Sequence, residues 1–230
     1  VPYLSTREER DGLVVLAVDR PPANAMDLVL LEEIAAAVQP LADDPPSALV
    51  LTGRPGFFSA GVDLKLAPTQ GPEERSRMVT AINAMALGVY ELPCPVVGAI
   101  TGHAVAGGLV LALCTDLRVA SSAGRYGLTE IKVGIAYPQA AIGVVRAELA
   151  PPVARRLALG SDLLSAADCL RLGVFDELAE PDEVLPRALE LAAGLAAFPA
   201  EVYARTKREL RASSAAALRA AAAEDPLLQA

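Results

Sequence analysis

Two glycine-punctuated segments and one isolated carboxylate hold the chemistry this sequence offers. The first segment reads Gly56-Phe57-Phe58-Ser59-Ala60-Gly61-Val62-Asp63-Leu64, and the second Thr101-Gly102-His103-Ala104-Val105-Ala106-Gly107-Gly108-Leu109-Val110. Each follows an apolar, strand-like run, Ala48 to Leu51 and Val96 to Ile100. Turns of this composition can aim bare backbone N–H groups at a ligand oxygen. Glu130 lies downstream, and Asp116 is the only other acid between Glu91 and Glu148. Two N–H donors and one carboxylate suffice to move a proton next to a carbonyl.

Other chemistries fit less well. Both segments match Gly-x-x-x-x-Gly, but Val62 and Gly108 stand where a phosphate-cradling loop carries its lysine. No Gly-x-Gly-x-x-Gly follows a strand, and no Gly-x-Ser-x-Gly occurs. His103 is the sole histidine and reads better as a turn residue than as a base, which leaves a Ser–His hydrolase no alternative. One histidine and three dispersed cysteines (94, 114 and 169) make no ordinary zinc site, so no metal is expected. Their odd number and wide spacing suit reduced thiols in a cytoplasmic protein. The net charge of -8 and pI near 4.8 argue against a broad nucleic-acid surface. The stretch Val1 to Asp11 is polar and shows no signal peptide. Leu92 to Thr115 is uncharged over 24 residues, long enough to cross a bilayer. Its internal pattern reads instead as buried strand, glycine turn and short apolar helix, so no membrane association is expected.

The elements that must position these residues follow from periodicity. Gly12 to Asp19 and Ala48 to Thr52 read as buried strands, and the paired prolines of Arg20-Pro21-Pro22-Ala23-Asn24-Ala25 force a turn. Asp27 to Leu41 and Glu73 to Glu91 have helical spacing, with a loop at Pro68 to Pro72 before the second. Asp116 to Ala120 is expected as a strand and Arg125 to Glu130 as a short extended piece. Helices are expected over Pro138 to Leu149 and Pro151 to Leu159, with proline in the first turn. Ser165 with Asp168 resembles a capping box, opening a helix that Gly173 ends. A last strand, Val174 to Leu178, precedes alanine-rich helices over Glu183 to Ala197 and Ala200 to Ala223. Taken singly, each glycine turn is equally readable as close packing, and Glu130 as a surface or capping residue.

Taken together, the residues resemble the enoyl-CoA hydratase/isomerase (crotonase) superfamily. The resemblance rests on Phe58 to Leu64, on Pro95 through Gly108, on Cys114-Thr115-Asp116-Leu117-Arg118-Val119-Ala120 and on Gly127-Leu128-Thr129-Glu130. It also takes in Ala166-Ala167 through Gly173-Val174-Phe175-Asp176. It implies an α/β fold, a crotonase-like (ClpP/crotonase) spiral of ββα units over residues 1–198. A C-terminal helical region over 199–230 follows, ending short of the length expected of such a member. It further implies an acyl-CoA substrate, no separate cofactor because coenzyme A is part of the substrate, and a homotrimer or dimer of trimers.

By position, the family's oxyanion donors fall on the N–H groups of Ala60 and Gly107, and its catalytic carboxylate on Glu130. Ala23, Asn24 and Ala25 correspond to a turn that borders the CoA adenine. Ser59, Gly61, Asp63, Leu64 and Gly108 belong to the two substrate-binding turns, with Asp63 expected to hold the first by bonding backbone N–H groups. Ile135 and Tyr137 are expected in the acyl pocket. Lys65, Lys207 and Arg208 suit either CoA phosphates or solvated faces. Family hydratases use a second glutamate where this chain has Val110, and an aliphatic side chain exchanges no protons. The single-glutamate pattern is closest to Δ3,Δ2-enoyl-CoA isomerases, in which one carboxylate takes a proton from C2 and returns it to C4. Three functions stay open from sequence: enoyl-CoA isomerase, enoyl-CoA hydratase in fatty-acid oxidation, and a non-catalytic acyl-CoA-binding protein.

Overall fold

The computed structural model describes residues 2–63 and 71–228. The chain winds as a spiral in which successive turns add strands to more than one sheet and then a helix. The first turn holds β1 (Leu4–Glu8), β2 (Leu13–Val18), β3 (Ala25–Met26), α1 (Leu28–Val38) and α2 (Pro40–Asp43). The second holds β4 (Ala48–Thr52), β5 (Gly56–Ser59), β6 (Gly61–Val62) and α3 (Pro72–Tyr90). The third holds β7 (Val96–Ile100), β8 (Gly102–Val105) and α4 (Gly107–Leu113). The fourth holds β9 (Leu117–Ser121), β10 (Arg125–Gly127) and α5 (Gln139–Glu148). Then follow α6 (Pro151–Ala158), β11 (Leu163–Ser165), α7 (Ala166–Arg171), β12 (Glu177–Ala179), α8 (Val184–Ala196) and α9 (Ala200–Ala223).

The large sheet has the order β1-β2-β4-β7-β9-β12, parallel except for β1 against β2. A second sheet runs β11-β10-β8-β5, and β3 pairs with β6. Both faces of β2, β4 and β7 are covered, which is why these strands read as nearly unbroken apolar runs. Leu13, Val15, Ala48, Val50, Val97 and Ala99 point to α8, where they meet Val184, Ala188 and Ala192. Their alternates Leu16, Leu49, Leu51 and Ile100 point into the main core with α1, α3 and α4. Among the described residues, no helix is long and apolar enough to cross a membrane.

The expected helices and large-sheet strands form, with shifted ends. Asp27 is a cap rather than a helical residue: its carboxylate accepts from Leu30 N–H at 2.9 Å, worth about 1 kcal/mol. Ser165 caps α7 in the same way. The polar run at the N-terminus, for which periodicity gave no element, forms edge strand β1; four of its five residues are exposed, so its sequence lacks an apolar signature. The two glycine segments are less turn-like than expected. Gly56–Ser59 and Gly102–Val105 lie side by side as parallel strands β5 and β8, leaving only short turns at Ala60 and Ala106.

Helix α9 is fastened to the body of the protein by buried charge. Asp116 accepts from Val96 N–H at 2.8 Å and from Tyr203 Oη at 3.1 Å. It pairs with Lys207 at 2.8 Å and with Arg211 at 3.1 Å. Lys207 is thus not a phosphate ligand: it is buried, and desolvation outweighs Asp116 to hold its pKa below the ordinary lysine value.

Candidate active site

Ala106 makes the turn between β8 and α4 with φ 52° and ψ -129°, a conformation that L-residues rarely adopt. Its N–H donates to Gly127 O at 2.8 Å, and its carbonyl accepts from Leu109 and Val110 N–H. The twist leaves Gly107 at the first helical position, where an N–H has no intrahelical acceptor. The facing segment approaches closely because side chains are missing. A Cβ at Gly108 would overlap the Ser59 carbonyl, and one at Gly61 would lie 2.8 Å from Ala106 Cβ. Gly61 also has φ +82°, so it is required twice over.

Which N–H groups face the cleft follows from the hydrogen bonds. Ala60 N–H donates to Ala23 O at 3.0 Å, Gly61 N–H to Ser59 Oγ at 3.1 Å and Asp63 N–H to Met26 O at 2.9 Å. Alternate residues of a strand turn their N–H groups to opposite sides. Val62, between Gly61 and Asp63, therefore directs its N–H away from β3 and toward α4. A Cβ added at Gly107 would lie 3.8 Å from Val62 N. This corrects the sequence expectation for Ala60: its N–H is already engaged, and Val62 is the residue that presents a donor beside Gly107.

These donors open on a cavity of about 310 Å³. Ala60, Val62, Ala106 and Gly107 line one part of it, while α3 supplies Met78, Val79 and Ile82. Val110 and Glu130 line it, as do Ile135 and Tyr137, the two residues the sequence placed in an acyl pocket. Glu130 begins a tight 3-10 turn after β10, its carbonyl accepting from Ile135 N–H at 3.0 Å. It is 8% exposed, and its Oε2 and the Tyr137 hydroxyl are both buried without a hydrogen-bond partner. Burial raises the Glu130 pKa above the ordinary carboxylate value, and the nearby Tyr137 hydroxyl and local backbone N–H groups offset part of that rise. Burial, then the Glu130 charge, raises the Tyr137 pKa, so its phenol stays a neutral donor. Among the described residues, Glu130 is the one carboxylate lining this cavity, and Arg75 the one cation.

The remaining expected ligands shape the cleft from behind and do not line it. Asn24 is fully buried: its amide donates to the carbonyls of Val18, Phe57 and Phe58 and accepts from Arg20 N–H. The carbonyls of Ala23, Asn24 and Ala25 accept from Ala60 N–H, Ser59 Oγ and Arg20 Nη1 respectively. Ser59 and Gly108 pack the two turns together. The Asp63 carboxylate takes the Arg20 guanidinium at 3.1 Å, and Arg20 is held between Asp27 and Asp63; the backbone that follows Asp63 lies outside the described residues. Leu64 and Lys65 lie outside the described residues. His103 sits in β8, accepts from Arg125 N–H at 3.1 Å and does not reach the cavity. The three cysteines are free and buried, and burial pushes the Cys94 thiol up to about 11. Sequence reasoning missed Val62, Arg20 and Arg75, whose parts depend on strand parity and on contacts distant in sequence.

A family model described as enoyl-CoA hydratase/isomerase matches residues 8–229. The chain belongs to that family. The probable enoyl-CoA hydratase EchA17 of Mycobacterium tuberculosis is 33% identical over 178 residues, 77% of this chain and 68% of that protein. The human mitochondrial enoyl-CoA delta isomerase 1 is 30% identical over 218 residues, 90% of this chain and 70% of that protein. The solved structure of enoyl-CoA hydratase EchA3 from Mycobacterium ulcerans matches with a TM-score of 0.92 at 27% identity, covering 99% of this chain and 100% of that one. The fold is therefore the crotonase fold, and names of both activities occur among the relatives of this family member.

Proposed function

We propose that this enzyme binds an enoyl-CoA thioester and moves its double bond from C3 to C2, using Glu130 as the single acid/base. The observation that supports this most directly is that Glu130 and Val110 both line the cavity. One buried carboxylate faces the substrate space, and the position where a second would be needed to activate water carries an aliphatic side chain.

The thioester oxygen sits between the N–H groups of Val62 and Gly107. These donors strengthen their bonds as charge develops on that oxygen, so they lower the transition state more than the ground state. Glu130 Oε2 removes a proton from C2, the electron pair passes into the dienolate, and the same carboxyl returns the proton at C4. Its raised pKa suits both halves: the ionised form is a stronger base than an exposed glutamate, and the acid form is held long enough to deliver. The cavity wall around it is apolar, which keeps water from quenching the dienolate.

A second reading is hydration of a 2-enoyl-CoA. It draws on the unpaired Tyr137 hydroxyl beside Glu130, which together could hold one water. Incubation with 3-enoyl-CoA and 2-enoyl-CoA, each product followed separately, decides between them. Faster hydration of 2-enoyl-CoA than isomerisation of 3-enoyl-CoA would overturn the isomerase reading.

A further inference from the structure

Asp225 is a carboxylate 1% exposed, and no ion pair holds it among the described residues. It lies just after α9, and three N–H donors hold it. Asn83 Nδ2 on α3 donates at 2.9 Å, Gln139 N–H at the start of α5 at 2.7 Å, and Leu227 N–H at 3.0 Å. Asn83 completes the arrangement by accepting from Ala140 N–H at 2.9 Å. The chain neighbours of the two anchor residues, Ile82 and Pro138, both line the cavity. The latch is therefore fastened directly behind the cavity wall, across the seam between α3 and α5. From it a single 3-10 turn, Pro226–Leu228, delivers Leu227 into the lining of that same cavity.

We infer that Leu227, fixed by the Asp225–Asn83–Gln139 latch, is the stop at the far end of the acyl pocket and limits the acyl chain to short lengths. This inference rests on the acyl-CoA reading of the site. The polar groups of the cavity, Glu130 and the N–H donors, hold the thioester end. Leu227, Met78, Ile82, Pro138 and Ala141 all line the cavity and bring only apolar side chains to it. A cavity of about 310 Å³ is at the small end of ligand pockets, which span about 300–1,000 Å³. An apolar pocket discriminates between chains one methylene apart by about tenfold or more, so one side chain at its end is sufficient to set a length limit. A hydrogen-bonded carboxylate anchor holds that side chain more rigidly than apolar packing of a short turn would.

The test compares wild type with Leu227→Ala, Leu227→Phe and Asp225→Ala. Turnover is measured on 3-enoyl-CoA substrates of six, eight, ten and twelve carbons. Binding of saturated hexanoyl-CoA and decanoyl-CoA is measured by calorimetry. Leu227→Ala should raise the ratio of kcat/KM for ten carbons over six carbons about tenfold. Leu227→Phe should lower it, and Asp225→Ala should shift it in the direction of Leu227→Ala. Decanoyl-CoA affinity should follow the same order, which reads the pocket even for a variant with impaired turnover. An equal change at every chain length would overturn the inference, as would an unchanged profile in folded Leu227→Ala. Failure of the wild type to bind any acyl-CoA would instead strike the acyl-CoA reading itself.

Discussion

Glu130→Gln tests the site through two independent readouts. Glu130 is 8% exposed and one of its oxygens has no partner. Burial raises its native pKa above that of the same carboxyl in the unfolded chain. The native state then binds the proton more tightly than the unfolded state. Stability from this group is full at low pH and is lost as pH rises from the unfolded pKa through the raised native one. The loss amounts to about 1.4 kcal/mol for every pH unit that separates the two values. Glutamine has nearly the same shape and no charge, so it escapes that loss, though its amide leaves a buried polar group unpaired. The net expectation is a variant that gains stability relative to wild type as pH rises from 4 to 8. In a chain of this length each 1 kcal/mol of that gain raises Tm by about 2–4 °C. Thermal unfolding from pH 4 to 8 measures it. In parallel, turnover should fall about 10²–10⁴-fold while acyl-CoA affinity stays within a few-fold. Wild-type kcat/KM should rise with pH through an apparent pKa above the ordinary glutamate range, because the base must be ionised. A Tm difference that does not grow with pH would refute the buried-charge argument. Unchanged turnover in the folded variant would refute the acid/base assignment.

Gly107→Pro removes one donor where a Cβ would meet nothing nearer than 3.7 Å, so the protein should fold and lose about 3 kcal/mol of transition-state stabilisation, read as a fall in kcat. Val110→Glu puts a second carboxylate on the cavity wall; the ratio of 2-enoyl-CoA hydration to 3-enoyl-CoA isomerisation should rise, while Tm falls because the new charge is buried. Asn24→Ala strips four hydrogen bonds from a fully buried turn and should lower unfolding free energy by about 3 kcal/mol in a urea titration. Lys207→Met breaks a buried pair with Asp116 and should cost about 3 kcal/mol of stability, yet leave KM for an acyl-CoA unchanged.

The sequence is legible where a side chain's identity determines its part. Glu130 stands out because acids are rare in that stretch, and Val110 because an aliphatic residue cannot do what a carboxylate does. The inner strands β2, β4 and β7 are legible because burial on both faces makes them apolar, and α9 because its alanine-rich run covers Ala200–Ala223. Edge strand β1 is not, since four of its five residues are exposed and most are polar. The latch is not legible either: Asn83 and Asp225 are 142 positions apart, and neither has a local pattern that anticipates the other.

The backbone donors show a deeper limit. Every residue in Ser59-Ala60-Gly61-Val62-Asp63 carries an N–H, so composition ranks none above another. What separates Ala60 from Val62 is direction. The Ala60 N–H is turned to the Ala23 carbonyl, and the ladder of β3 with β6 takes its neighbours at Gly61 and Asp63 to the opposite side from Val62. A register shifted by one residue would exchange those directions with no change in sequence. That register is set by Asn24, which binds the carbonyls of Phe57 and Phe58, and by Arg20, which ties Ala25 O to Asp63. The residues that decide which N–H faces the cavity therefore do not line it themselves. A buried asparagine in a proline turn fixes a direction that the small residues of the glycine segment leave open.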